Sequence, residues 1–287
     1  MNSRLVLVVV LALLAGCSTL GPTGEQATTV TPAPVPDAAA TATPASPLPP
    51  GVTGAEIVDL DRLALAHMEA ASGTSYTWES NYTRVRFFDD RTFVGDVRKE
   101  ATVENQSHYA YWTNRKEAPR ESQFSYLGEY ELYADESGRY TRLKQGGEFE
   151  YERLPLGPAR EQVGRHAGSA ITEYLQTENV TVGETRVDGQ RYYEIVGTDY
   201  AFRSGYGIRN YTARAVVSPD GFVRSLHVEY DQTRDGERER ITYTFQYSRL
   251  GDTTVERPEW VTRNWVADGE ARSLASENGT DNETESE

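Results

Sequence analysis

The sequence predicts an α+β fold in which a large antiparallel sheet runs through most of the chain and amphipathic helices pack against it. Three observations carry this reading. The last third alternates apolar and polar residues with period two, Asp-Gly pairs fall between the alternating runs, and two segments space their apolar residues three and four apart.

The first such segment, 55–72, carries Ile57, Leu60, Leu63, Ala64, Met68 and Ala71 on one face, with Gly73 as a stop. A Tyr-, Thr-, Val- and Phe-rich series begins at Tyr76 and is broken by Asp89-Asp90, Ser137-Gly138 and Gly146-Gly147, as strands joined by turns should be. A second helix is expected over 158–175, where Pro158 suits the first turn and Ile171, Tyr174 and Leu175 supply an apolar face. Then Tyr211, Ala213, Ala215 and Val217 form one alternating run, Leu226, Val228 and Tyr230 a second, and Ile241, Tyr243, Phe245 and Tyr247 a third. One face of these strands is buried and one is wet; Asp188-Gly189 and Asp220-Gly221 are their hairpin turns. Pro258 ends the sheet and leads into a short helix carrying Trp260 and Trp265.

The amino terminus carries the most specific motif. Arg4 is followed by an apolar run and then by Leu14-Ala15-Gly16-Cys17, the lipobox pattern of bacterial-type lipoproteins. This predicts removal of residues 1–16 as a signal peptide and lipidation of Cys17, the one cysteine in the chain. The apolar run of roughly ten to twelve residues is short of the ~20 that span a bilayer, which disfavours an uncleaved anchor. Two acyl chains on Cys17 would hold the protein at the outer face of the cell membrane, and membrane is its expected partner.

From 17 to 53 the chain is dominated by Pro, Ala and Thr and cannot build a core; it reads as a stalk reaching roughly 30 Å as coil and ~100 Å fully extended. A folded domain is expected over 54–266 and an acidic, disordered tail over 267–287. Six of the nine asparagines, Asn81, Asn105, Asn179, Asn210, Asn278 and Asn282, begin Asn-x-Ser/Thr and are candidate glycosylation sites of an exported glycoprotein.

Composition narrows the function. Net charge is −15, and lysine occurs only at 99, 116 and 144. Such a surface suggests a high-salt habitat, although ordinary acidic solubility would give the same balance. Without clustered basic residues, nucleic acid is excluded as a partner. The four histidines, 67, 108, 166 and 227, are scattered without metal-ligand spacing. There is no nucleophile elbow, phosphate loop or dinucleotide fingerprint, and a lipidated Cys17 cannot be a catalytic thiol. Asp59/Asp61 and Asp89/Asp90 read as solvated faces and turns, and the glycine-rich stretch 203–207 as a loop. No catalytic residue, metal or cofactor is therefore assigned, and the expectation is a non-enzyme.

Signal segment, stalk, early helix, antiparallel meander and inserted helix together resemble the LolA/LppX-like lipoprotein-localisation and lipid-carrier fold. The stretches Leu-Ala-Leu-Ala-His at 63–67, Ser-Tyr-Thr at 75–77, Val-Ser-Pro-Asp-Gly at 217–221 and Tyr-Thr-Phe-Gln-Tyr at 243–247 resemble a family of haloarchaeal lipoproteins. The resemblance implies an unclosed half-barrel, helices against its concave face, and a site there for a lipid or other amphipathic ligand. Leu60, Leu63, Met68, Leu226, Val228, Tyr243 and Phe245 would line it. The richness in Tyr and Arg departs from a purely greasy cavity. The alternative is a structural or protein-interaction module of the cell envelope, in which the same apolar faces form a filled core. A carrier keeps a cavity; a filled core leaves none.

Overall fold

The computed structural model describes residues 47–88, 91–116, 128–145, 147–201, 207–234 and 236–266. Cys17, the stalk up to residue 46, Asp89-Asp90, Gly146, most of the loop at 203–207, Asn278, Asn282 and the tail lie outside the described residues.

The folded body begins earlier than residue 54. Pro49 is buried and Val52 is part of the core, pairing with Ile57 in an isolated antiparallel bridge. Gly51 makes this loop possible. Its φ is +79°, its carbonyl accepts from Val58 and Asp59 N–H, and an added Cβ would stand 2.1 Å from Asp59 O. Helix α1 (Leu60–Ser72) consequently starts later than the apolar spacing from 55 implied. Asp59 is its N-cap, accepting from Arg62 N–H at 2.8 Å, and Gly73 closes it.

Eleven strands follow: β1 (Tyr76–Phe87), β2 (Thr92–Val103), β3 (Tyr109–Lys116), β4 (Glu129–Asp135), β5 (Gly138–Gln145), β6 (Glu148–Leu154), β7 (Thr177–Val187), β8 (Gln190–Tyr200), β9 (Arg209–Val217), β10 (Val223–Arg234) and β11 (Glu237–Ser248). They form one antiparallel sheet in the order β6-β5-β4-β3-β2-β1-β11-β10-β9-β8-β7. The sheet is not a single meander in chain order. Two hairpin series, β1–β6 and β7–β11, are stitched together by the pairing of β1 with β11, from Thr77 opposite Ser248 to Phe87 opposite Arg238. The strands β6 and β7 are left as the two edges, so the curved sheet is an unclosed half-barrel.

The chain crosses from β6 to β7 through a π-helical turn (Arg160–Gly164) and helix α2 (Arg165–Tyr174). Gln106, in the β2–β3 turn, receives the first free donors of this segment: Ala159 N–H donates to its carbonyl at 2.9 Å and Arg160 N–H to its Oε1 at 2.9 Å. Helices α1 and α2 pack against each other and against the concave face. Gly168 permits that approach, since a Cβ there would lie 2.9 Å from Met68 Sδ.

Side chains alternate across the sheet with the pleat. The inward set, including Tyr76, Trp78, Val103, Tyr109, Ile195, Ala213, Ala215, Val217, Leu226, Val228 and Phe245, joins Leu63, Ala167 and Ile171 of the helices in one core. A smaller core lies on the other face, where Tyr133 and Tyr140 are covered by Val255, Trp260 and Val261. The last two belong to α3 (Glu259–Val261), which continues as a π-helical turn (Thr262–Val266).

Candidate ligand-binding cleft

The concave face changes character from one end to the other, and the strand register reads the change row by row. Tyr111, Ala101, Trp78 and Tyr247 stand side by side across β3, β2, β1 and β11, followed by Thr113, Lys99, Ser80 and Phe245. Next come Arg115, Val97, Tyr82 and Tyr243; then Gly95, Arg84, Ile241 and Tyr230. At the far end Arg86 pairs with the buried carboxylate of Glu239 at 3.0 Å, which also accepts from Gln232 Nε2 at 2.7 Å. Aromatic and apolar rows thus give way to rows carrying lysine and arginine.

Between these middle rows and helix α2 lies a cleft of about 450 Å³, lined by Ser80, Tyr82, Arg84, Val97, Lys99, Arg115 and Tyr243 from the sheet and by His166, Ser169, Ala170, Glu173 and Tyr174 from the helix. Helical spacing accounts for the second group: 166, 169, 170, 173 and 174 fall on one stripe. Two contacts hold the tyrosine floor in place. Tyr174 and Tyr243 have ring centroids 4.6 Å apart, and Tyr211 Oη donates to the Tyr174 carbonyl at 2.6 Å.

His166 enters the cleft between two aromatic rings, 6.1 Å from Trp78 and 5.3 Å from Tyr111, nearly parallel to both. Burial, with the nearby Lys99 charge, lowers it to about 4, so it is neutral at physiological pH. Burial likewise pulls the Lys99 ammonium below the usual lysine range, with Glu173 acting in the opposite sense. Glu173 sits at the solvent-accessible rim, where partial burial raises its carboxyl. Among the described residues no hydrogen bond or ion pair reaches Lys99 Nζ. The remaining acid at the cleft, Asp96, is engaged by Arg98 Nε at 3.0 Å and Thr83 Oγ1 at 3.2 Å.

Of the residues expected to line a site, Tyr243 alone borders this cleft. Leu63, Leu226, Val228 and Phe245 are 0–2 % exposed in the filled core, Leu60 packs against that core, and Met68 lies against Gly168 between the helices. Leu226 and Phe245 also border a polar groove of about 690 Å³ with Glu79, Arg98, Glu100, Trp112 and His227. The other cleft residues had one sequence signal. Val97, Lys99, Ala101 and Val103 alternate, which turns one of only three lysines toward the inner face.

Among the described sequons, Asn105, Asn179 and Asn210 are exposed, while Asn81 is half-buried in β1. Asn105 Oδ1 accepts from Ser107 N–H at 2.9 Å and from Ser107 Oγ at 3.0 Å. No helix of the described residues is long and apolar enough to cross a membrane, and no group of three or more His, Cys, Asp or Glu side chains gathers there to hold a metal.

The family model of DUF7537, a family of unknown function, matches residues 3–264. The chain belongs to this family. No curated protein matches it in sequence. Among solved structures it is similar to LprF from Mycobacterium bovis, at 19% identity over 69% of this chain and 95% of that one, with a TM-score of 0.30. A DUF1329 family protein from Desulfovibrio piger is similar at 12% identity over 72% and 97% of the two chains, with a TM-score of 0.25. A LolA superfamily protein from Nitrosomonas europaea is similar at 12% identity over 69% and 94%, with a TM-score of 0.23.

Proposed function

We propose that the chain is an exported lipoprotein, held at the outer face of the cell membrane through Cys17, whose half-barrel takes an amphipathic ligand into the cleft beneath α2 without chemically altering it. The observation that carries the reading is the cleft of about 450 Å³, left open on a concave face that is otherwise solidly packed. Its volume and its mixture of an aromatic floor with charged and polar side chains suit a small ligand with an apolar part and a polar end. Residues 14–17, Leu-Ala-Gly-Cys, support the anchor. The exposure of Asn105, Asn179 and Asn210 is compatible with glycans on an extracytoplasmic surface, and the acidic, lysine-poor composition with a high-salt habitat.

The tight packing of Leu63, Leu226, Val228 and Phe245 favours a second reading, a structural or interaction module of the envelope. One experiment separates the two. The full chain is purified from membranes of a high-salt host, extracted, and analysed by mass spectrometry for non-covalently held lipid. A stoichiometric amphiphile supports the carrier. Repeated absence, with full recovery of an added standard, sinks it and leaves the module.

A further inference from the structure

The cleft has a charge pattern that an acyl chain alone does not require. In a chain of net charge −15, the cleft gathers Arg84, Lys99 and Arg115 beside two carboxyls, Glu173 at the rim and Asp96, which Arg98 and Thr83 already engage. Lys99 is the informative member. It stands on a central strand between Ser80 and Thr113, with Phe245 one strand further, so its stem lies over the sheet and its ammonium points under α2. Glu173 is not within ion-pairing distance, and no other described group hydrogen-bonds to Nζ. A cation taken partly out of water without a partner is unfavourable in the empty protein. An anion arriving from outside would remove that penalty, and it would gain from the low dielectric of the site.

We infer that the cleft recognises an anionic group, a carboxylate or a phosphate, seated at Lys99, with the apolar part of the ligand lying on Tyr82 and Tyr243. Tyr174, Ser80, Arg84 and Arg115 line the same space. The inference rests on the reading of the cleft as a ligand site and adds the chemistry of the ligand's polar end. Lysine is suited to that end because its ammonium is a compact charge with three rotatable donors, tolerant of either anion.

Calorimetric titration of the full-length protein in zwitterionic nanodiscs, with empty discs as the blank, tests it using octanoate, octanol and acetate. Octanoate is expected to bind at least tenfold tighter than octanol. Lys99→Met should abolish that preference, so that octanoate binds no tighter than octanol, and Lys99→Arg should keep it. Equal binding of octanoate and octanol, or a preference that survives Lys99→Met, overturns the inference while the amphiphile reading stands. Acetate binding as tightly as octanoate supports the anion site and overturns the amphiphile reading, identifying a small free anion as the ligand. Binding of none of the three overturns both. Lys99→Gln replaces the Met variant where the latter melts below wild type, and it carries the same expectation.

Discussion

The backbone N–H of Val223, at the start of β10, donates to Nδ1 of His67 in α1 at 3.1 Å. With Nδ1 occupied as an acceptor, Nε2 carries the proton and donates to Tyr247 Oη at 3.0 Å. The imidazole, 0 % exposed, thus locks α1 to two strands in one tautomer, which removes it from any acid–base role. Burial lowers it to about 3 from its ordinary 6.5. Above pH 6.5 both folded and unfolded chains hold it neutral and its contribution is complete. As pH falls toward 3 only the unfolded chain takes up the proton, so stability declines by up to about 1.4 kcal/mol per pH unit. Denaturant titrations at pH 7 and pH 5 should therefore show a loss of about 2 kcal/mol attributable to His67. In His67→Phe that part of the pH dependence should be missing, and the protein should be weaker at pH 7 by about 1–3 kcal/mol because Val223 N–H loses its partner. An unchanged pH dependence in the variant would count against the neutral, doubly bonded imidazole.

Leu226 belongs to the filled core and not to the cleft. Leu226→Ala should cost about 2–5 kcal/mol in denaturant melts, through lost burial and the cavity left behind. At temperatures where the variant is folded, its preference between octanoate and octanol should match wild type. A shifted preference would place the ligand deeper, among the helices.

Gly197 on β8 is fixed by its neighbour on β7. A Cβ there would stand 2.4 Å from Thr177 Oγ1 and 2.7 Å from Thr177 Cγ2, and a β-branched side chain cannot swing clear. Gly197→Ala is expected to destabilise by about 1–3 kcal/mol, as overpacking does. In a Thr177→Ala background the cost should shrink, and a double-mutant cycle of urea melts would read the coupling. Strictly additive costs would mean that the two residues do not meet.

Cys17→Ser should move the protein from the membrane fraction to the soluble exported fraction in a cell fractionation blot. Persistence of the serine form in washed membranes would remove lipidation as the anchor.

Short-range order was legible in the sequence because its causes are local. The pleat forces a period of two, so the inward sets Tyr211 to Val217 and Ile241 to Tyr247 could be read directly. Asp188-Gly189 and Asp220-Gly221 announced hairpins because φ is positive at Asp188, Gly189 and Gly221. Local pattern gave the start of α1 less well. Ile57 fits the helical spacing, yet the carbonyl of Gly51 holds Val58 and Asp59 in a loop and Asp59 caps the helix after them.

What only the tertiary structure decided is which inward residues are packed and which remain open. Periodicity assigns a side chain to a face of the sheet but not to a row beneath a helix, so Leu226 and Lys99 look alike as inward positions. Their difference arises from the pairing of β1 with β11 and the crossover through α2, contacts between segments far apart in the chain that no local pattern encodes. The sequence by itself determined an anchor motif, a two-faced antiparallel sheet and a surface that repels polyanions. The fold decided that Lys99, His166 and Glu173 share one cleft, because a ligand site depends on where α2 comes to rest over the sheet.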